Sequence, residues 1–105
     1  MDRASAYKTE LKHCLERFGA NLRRLRTSPG RSLSQEDLAF ATNLHRTEIG
    51  SLEQGRSEPR LTTLLILADG LAVTLDELVA GVPVPVERRP GPKSRPRERR
   101  NRAGG

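Results

Sequence analysis

The sequence predicts an all-α domain of five helices followed by a basic tail, and three observations lead to this fold class. Apolar residues recur three and four positions apart before residue 82. Residues typical of helix starts and stops separate these segments. From residue 82 onward, prolines and arginines replace the apolar pattern. A chain of 105 residues allows one small domain with a modest core.

The first helix is predicted over Thr9–Arg26, after a polar segment, residues 1–8, that we expect to be frayed. Its apolar side chains follow helical spacing at Leu11, Leu15, Phe18, Leu22 and Leu25. The early turn that carries Leu11 and Cys14 either covers the core or meets a second copy of the chain. A Ser-Pro-Gly sequence at 28–30 then breaks the helix.

Two short helices around a tight turn are predicted between Leu33 and Gly55. Ser34 is a good N-cap for the first of them, and Asp37 has the acidic position of a capping box. This helix should end at Ala41 or Thr42. Asn43 follows where the turn needs a left-handed residue, which Asn tolerates better than most.

The second of these short helices is predicted over residues 45–54, and Gly55 ends it. Ile49 and Leu52 lie three positions apart on its buried side. The opposite face carries the polar or small residues Arg46, Thr47, Glu48, Gly50 and Ser51. This arrangement is that of a helix-turn-helix, in which the second helix enters the major groove of DNA.

Pro59 prevents the helix from continuing, and a fourth helix is predicted to run to about Leu71. Its apolar face is predicted to contain Leu61, Leu64, Leu65, Ala68 and Leu71. Ile66 falls off that face, so it is either a weak dimer contact or a single exposed side chain. A fifth helix is predicted over residues 75–80, with Thr74 as N-cap and Glu77 completing a capping box.

The net charge of +6 lies in the tail. Residues 82–105 contain eight Lys or Arg and two Glu, whereas residues 1–81 contain 11 charges of each sign and sum to zero. Within the domain, basic residues cluster before the helix-turn-helix at Arg17, Arg23, Arg24, Arg26 and Arg31. This polarity favours a polyanionic partner. The tail is expected to be disordered, and it either reaches DNA phosphates, binds RNA or keeps the protein in solution.

Between residues 17 and 80 the chain resembles the phage-repressor-like, Cro-type helix-turn-helix family, also called the xenobiotic-response-element family. The matching residues are Leu33, Ser34, Gln35, Asp37, Leu38, Ala39, Leu44, Ile49, Leu52, Glu53 and Gly55. The resemblance implies a five-helix lambda-repressor-like domain over residues 9–81, with its motif at 33–54. It also implies a bacterial transcription regulator that binds double-stranded DNA and forms a weak homodimer, at least on DNA.

The resemblance also implies roles for individual residues. Arg46, Thr47 and Ser51 match the positions that read base edges, and Gln35 matches the residue that clamps the DNA backbone. Glu53 matches an acid that pairs with Arg26 near the end of the first helix. From their places in the chain, Arg56 and Arg60 are further phosphate contacts, and His45 either touches a phosphate or caps its helix.

Several other function classes find no support in the sequence. With Cys14 as the sole cysteine and two histidines, no metal site, disulfide or cofactor is expected. No segment is apolar enough to span a membrane, and a cytoplasmic protein, associated with the nucleoid when bound to DNA, is expected. No nucleophile and base are paired, so no enzyme is predicted. The alternative to DNA binding is an antitoxin-like protein–protein module with the helix-turn-helix as scaffold.

Overall fold

A computed structural model of the chain describes residues 3–86, with side chains from residue 5 onward. This part contains five helices, α1 (Arg3–Thr27), α2 (Gln35–Thr42), α3 (Arg46–Glu53), α4 (Leu61–Leu71) and α5 (Leu75–Leu78). The predicted all-α fold class is confirmed over these residues. Most of the predicted tail, residues 87–105, lies outside the described residues, so the division between domain and tail stays a prediction. None of the helices in residues 3–86 combines the length and apolarity that a membrane crossing requires.

One core receives side chains from all five helices. α3 packs against α1 and α2, while α4 packs against α2 and α5, and α5 also contacts α1. The buried apolar residues are Phe18, Leu22, Leu25, Leu38, Ile49, Leu52, Leu67, Ala68, Leu71 and Leu78. Because α2 and α3 have only eight residues each, their stability depends on this packing rather than on helix propensity.

α1 begins at Arg3, six residues before the predicted start at Thr9. The helix therefore extends through most of the segment that we expected to be frayed. Residues 3–8 contain no Gly or Pro, and the Thr9 hydroxyl donates to the Ser5 carbonyl one turn earlier at 3.1 Å. Nothing in this segment interrupts a helix once the apolar face further along has packed.

The early part of α1 borders an apolar cleft of about 180 Å³. Leu11, Cys14 and Leu15 are half-buried there, and Val82 and Pro85 line the same cleft. Burial raises the pKa of the Cys14 thiol, and the nearby Glu58 carboxylate raises it further. The start of the predicted tail therefore lies against the domain, since Val82 also packs against the core.

The capping box predicted for α2 is confirmed. The Ser34 hydroxyl accepts from the Asp37 backbone N–H at 2.9 Å, and the Asp37 carboxylate accepts from the Ser34 N–H at 2.9 Å. The backbone N–H and the hydroxyl of Ser34 lower the pKa of the Asp37 carboxyl, because both hydrogen bonds favour its ionised form. Asn43 has φ 61° and ψ 26°, the left-handed conformation expected for the turn.

The predicted apolar face of α4 is confirmed at Leu64, Ala68 and Leu71 but is wrong at Leu61 and Leu65. Leu61 and Leu65 are exposed at 65% and 50%, whereas Leu67 is fully buried. The buried side instead contains Thr63, Leu67, Ala68 and Leu71. Residues 64–68 are all apolar, so their spacing alone does not determine which side faces inward. Ile66 is exposed at 39%, as predicted.

α5 ends at Leu78, two residues before the predicted end, although its capping box between Thr74 and Glu77 is confirmed. The Asn21 side chain donates to the carbonyls of Leu78 at 3.0 Å and Ala80 at 2.8 Å. These carbonyls are thereby satisfied by α1 rather than by a further helical turn. Asn21 is 2% exposed and was missed by the sequence prediction, although it lies three positions after Phe18 on the buried face of α1.

Candidate nucleic-acid interface

α3 is held by its apolar side and leaves its other side accessible. Ile49 and Leu52 are 0% and 1% exposed. The helix is one residue shorter at each end than predicted, with His45 as N-cap and Gln54 as C-cap. Gly55 ends it with φ 72°, a conformation that other residues adopt only with strain. This fixed orientation determines which side chains of α3 face solvent.

A shallow depression joins the outward side of α3 to the start of α2. It is lined by Gln35, Arg46, Thr47, Gly50, Ser51, Gln54 and Arg56. The structure thus brings together the three predicted base-reading residues and two of the predicted phosphate contacts. Gln54 was missed, although it lies on the same helical face as Thr47 and Ser51 and its spacing could have indicated it.

The other two predicted phosphate contacts lie apart from this depression. Arg60 is exposed as the N-cap of α4, beside Glu48 and Glu58 in a separate hollow. His45 is exposed at the start of α3, and its side chain makes no capping hydrogen bond. His45 therefore occupies the predicted N-cap position by its backbone alone, and its contact with a phosphate stays a prediction.

A buried ion pair couples α3 to α1. Arg26 Nε and Nη2 donate to Glu53 Oε2 and Oε1 at 2.6 and 2.8 Å, and the side chains are 10% and 4% exposed. Arg26 also donates to the Leu33 carbonyl at 2.8 Å, and the Gln35 amide donates to Glu53 Oε1 at 3.1 Å. The hydrogen bonds with Glu53 raise the pKa of Arg26. One network thus fixes the end of α1, the start of α2 and the end of α3.

A second ion pair lies at the surface between α2 and α3. Arg46 Nε is 2.8 Å from Glu36 Oε2, and the two side chains are 57% and 68% exposed. Glu36 lies in the first turn of α2, where the helix dipole favours an acid. Its contact with Arg46 depends on how the turn places the two helix starts side by side, so no local signal could have indicated it.

Most arginines of the basic cluster predicted before the helix-turn-helix make hydrogen bonds within the domain. Arg31 donates to the Leu71 carbonyl at 2.8 Å and to the Ser28 hydroxyl at 2.8 Å, which ties the α1–α2 loop to the end of α4. Arg17 donates to the Ala80 carbonyl at 3.3 Å. Arg26 is buried and Arg31 is half-buried, whereas Arg17, Arg23 and Arg24 are exposed.

Comparison with known proteins identifies the family of this chain. A helix-turn-helix family model matches residues 22–78, just over half of the sequence. The chain belongs to the helix-turn-helix family. The matched region includes the last six residues of α1 and all of α2, α3, α4 and α5.

Two known proteins resemble this chain, one by its sequence and the other by its solved structure. The HTH-type transcriptional activator BcrR of Enterococcus faecalis is 38% identical over 64 residues, which are 61% of this chain and 30% of BcrR. The chain thus spans about a third of the length of that relative. The restriction-modification controller protein C.AhdI of Aeromonas hydrophila is 44% identical, with a TM-score of 0.57 over 61% of this chain and 94% of C.AhdI.

A third neighbour has been solved with DNA. The tetramer of the controller protein C.Esp1396I in complex with its natural 35 base-pair operator is 25% identical to this chain. The TM-score is 0.54, and the match covers 62% of this chain and 93% of the neighbour.

Proposed function

We propose that this protein is a transcription regulator that binds double-stranded DNA sequence-specifically, with α3 in the major groove. The observation that carries the proposal is the division of α3 into two sides. Ile49 and Leu52 are buried, while Arg46 and Thr47 are exposed beside the start of α2. A recognition helix needs this division, because its inward side must be rigid while its outward side chains reach base edges.

Arg46, Thr47 and Ser51 are the base-reading residues in this proposal. Two N–H groups of Arg46 would donate to guanine O6 and N7, which is worth about 1–3 kcal/mol of discrimination. Thr47 would offer its methyl group to thymine or its hydroxyl to a base edge, and the half-buried Ser51 one turn later would hydrogen-bond a neighbouring base.

Phosphate contacts would position the domain without reading sequence. Gln35 begins α2, where backbone N–H groups and the helix dipole favour an anion. Arg56 lines the same depression, and His45 at the start of α3 and the more distant Arg60 would contact further phosphates. The names of the similar proteins, which include a transcriptional activator and restriction-modification controllers, support this function over an antitoxin-like module.

The protein would act as a homodimer, at least on DNA. Leu61 and Leu65 lie one turn apart on α4 and are exposed, and such apolar side chains suit contact with a second copy. Ile66 is exposed on another side of the same helix. The solved tetramer of C.Esp1396I with its operator supports assembly on DNA. Two copies would bind half-sites about one DNA turn apart.

Selection from random duplexes tests this function, because it yields the preferred sequence and the half-site spacing together. Binding of the selected duplex is then compared with binding of single-base variants, for the wild type and for Arg46→Ala. We expect Arg46→Ala to lose preference at one base-pair position while its free energy of unfolding changes by less than about 1 kcal/mol. Equal losses on selected and random duplexes would make Arg46 a phosphate contact, and no enrichment of any sequence would contradict the proposed function.

A further inference from the structure

Arg46 does not project freely from the start of α3. Its Nε atom is 2.8 Å from Glu36 Oε2, so the guanidinium is held across the gap between α3 and α2. Both side chains remain more than half exposed. An ion pair this accessible contributes little to stability, because water solvates both charges well. The main effect of the ion pair is therefore to determine where the guanidinium of Arg46 lies.

The position of Glu36 beside Nε limits which N–H groups of Arg46 can donate to a base. A guanidinium can present two parallel N–H groups either from its terminal nitrogens or from one edge that includes Nε. The Glu36 carboxylate oxygen lies 2.8 Å from Nε and covers that edge of the guanidinium, so the terminal pair of nitrogens remains for an acceptor with two adjacent atoms, such as guanine O6 and N7. The contact thus selects one edge of the guanidinium and restricts the plane in which it lies.

Glu36 also opposes contacts that carry no sequence information. An arginine with unrestricted rotamers can neutralise the nearest phosphate of any duplex. If Arg46 moved to a phosphate, the Glu36 carboxylate at the start of α2 would lose its counter-charge. It would then repel the phosphates that are expected in the neighbouring depression. The retained pair favours a base contact by Arg46 and disfavours a phosphate contact.

We propose that Glu36 is a specificity-determining residue, which orients Arg46 toward one base and lowers affinity for DNA in general. This inference rests on the proposed function, because it concerns the same surface of α3. Glu36 itself touches neither base nor phosphate; it acts through Arg46.

The test compares Glu36→Ala, Glu36→Gln and a matched control, Glu58→Ala. Glu58 is exposed in the loop between α3 and α4, so its removal changes the net charge as much as Glu36→Ala does. Dissociation constants are measured for the selected duplex, for its single-base variants and for random duplexes, at two salt concentrations. The side-chain Nε–Hε NMR signal of Arg46 is recorded without DNA, since a change there reports the ion pair directly.

We expect Glu36→Ala to bind random duplexes several-fold more tightly and to lose about two- to fivefold discrimination at the base pair that Arg46→Ala also affects. Glu36→Gln keeps the size of the side chain but removes the charge that attracts Arg46, so it should lose most of the discrimination that Glu36→Ala loses. Glu58→Ala should tighten binding to all duplexes without loss of discrimination. The Arg46 Nε–Hε signal should move in Glu36→Ala and stay in place in Glu58→Ala.

Full discrimination in Glu36→Ala would overturn the inference, as would an equal loss of discrimination at every position. If the wild type prefers a sequence and Arg46→Ala loses one position while Glu36→Ala does not, this inference alone fails. If the wild type enriches no sequence, the proposed function fails and this inference fails with it.

Discussion

Glu53 has two partners on different segments and almost no contact with water. Its carboxylate accepts from Arg26 on α1 and from Gln35 at the start of α2, with its side chain 4% exposed. The pair thus differs from an ordinary surface ion pair, which solvent and salt weaken. When one partner of a buried pair is removed, the other charge remains in a poorly solvated place and must be compensated.

We expect Glu53→Gln to lower the free energy of unfolding by about 3 kcal/mol, because Arg26 would keep its charge without a counter-charge. Urea denaturation at pH 7 measures the change. Glu36→Gln is the matched control, since it breaks an ion pair of the same chemical type that is exposed, and should cost less than about 1 kcal/mol. Similar losses in the two variants would mean that burial adds nothing to the Arg26–Glu53 pair.

At the scale of elements, the orientation of α3 depends on how closely α1 approaches it. A Cβ atom at Gly19 of α1 would lie 2.5 Å from the backbone oxygens of Leu52 and Glu53. These are main-chain atoms, so they cannot move aside as a flexible side chain would. Gly50, on the outward side of α3, has only the end of the Gln35 side chain nearby, at 3.6 Å.

The same substitution should therefore have opposite effects at these two glycines. Gly19→Ala should lower the free energy of unfolding by about 1–3 kcal/mol, because α3 must shift away from α1. Gly50→Ala should raise it by up to about 1 kcal/mol, because Ala favours a helix and finds ordinary contacts there. Thermal and urea denaturation of both variants give the signs directly, and a stabilised Gly19→Ala would contradict the close crossing.

Gly50→Ala also tests a functional question about this position. If Gly50 lets α3 lie close to the groove, the stabilised variant should bind the selected duplex less tightly. Unchanged affinity would show that Gly50 is merely tolerated. In the sequence, a glycine inside an eight-residue helix indicates a cost in helix stability but not which side of the helix it faces.

For the molecule as a whole, the net positive charge lies in a different part of the chain from the residues that form the core. Residues 87–105 contain all eight Lys or Arg and both Glu of the predicted tail, so the remaining chain has no net charge. Val82 packs against the core and Pro85 lines the cleft beside Leu11. A truncation that separates charge from packing must therefore follow Val86 rather than Gly81.

We expect truncation after Val86 to weaken binding to all duplexes alike and to leave sequence preference unchanged. For each phosphate that the tail neutralises, the slope of log K against log salt should become shallower by about 0.9. Binding measured over a series of salt concentrations gives the slope. A full-length variant with its tail arginines changed to glutamine should match the truncated protein, and an unchanged slope in both would exclude the tail as a DNA contact.

The sequence by itself determined the features that depend on residues close in the chain. Both capping boxes, the left-handed Asn43 and the ends of α2 and α4 follow from contacts across three or four residues. Such contacts form wherever the local backbone turns, so their signals can be read without knowledge of the rest of the fold. The division of α3 into a buried and an exposed side was predictable in the same way from the spacing of Ile49 and Leu52.

Only the tertiary structure decided which side of α4 is buried, where α5 ends and which partners the arginine side chains contact. The apolar run at 64–68 allows more than one inward side, and packing against α2 and α5 selects one. Asn21 meets the Leu78 carbonyl 57 residues later, and Glu36 meets Arg46 across a turn. These contacts depend on distances between elements, which a one-dimensional pattern does not contain.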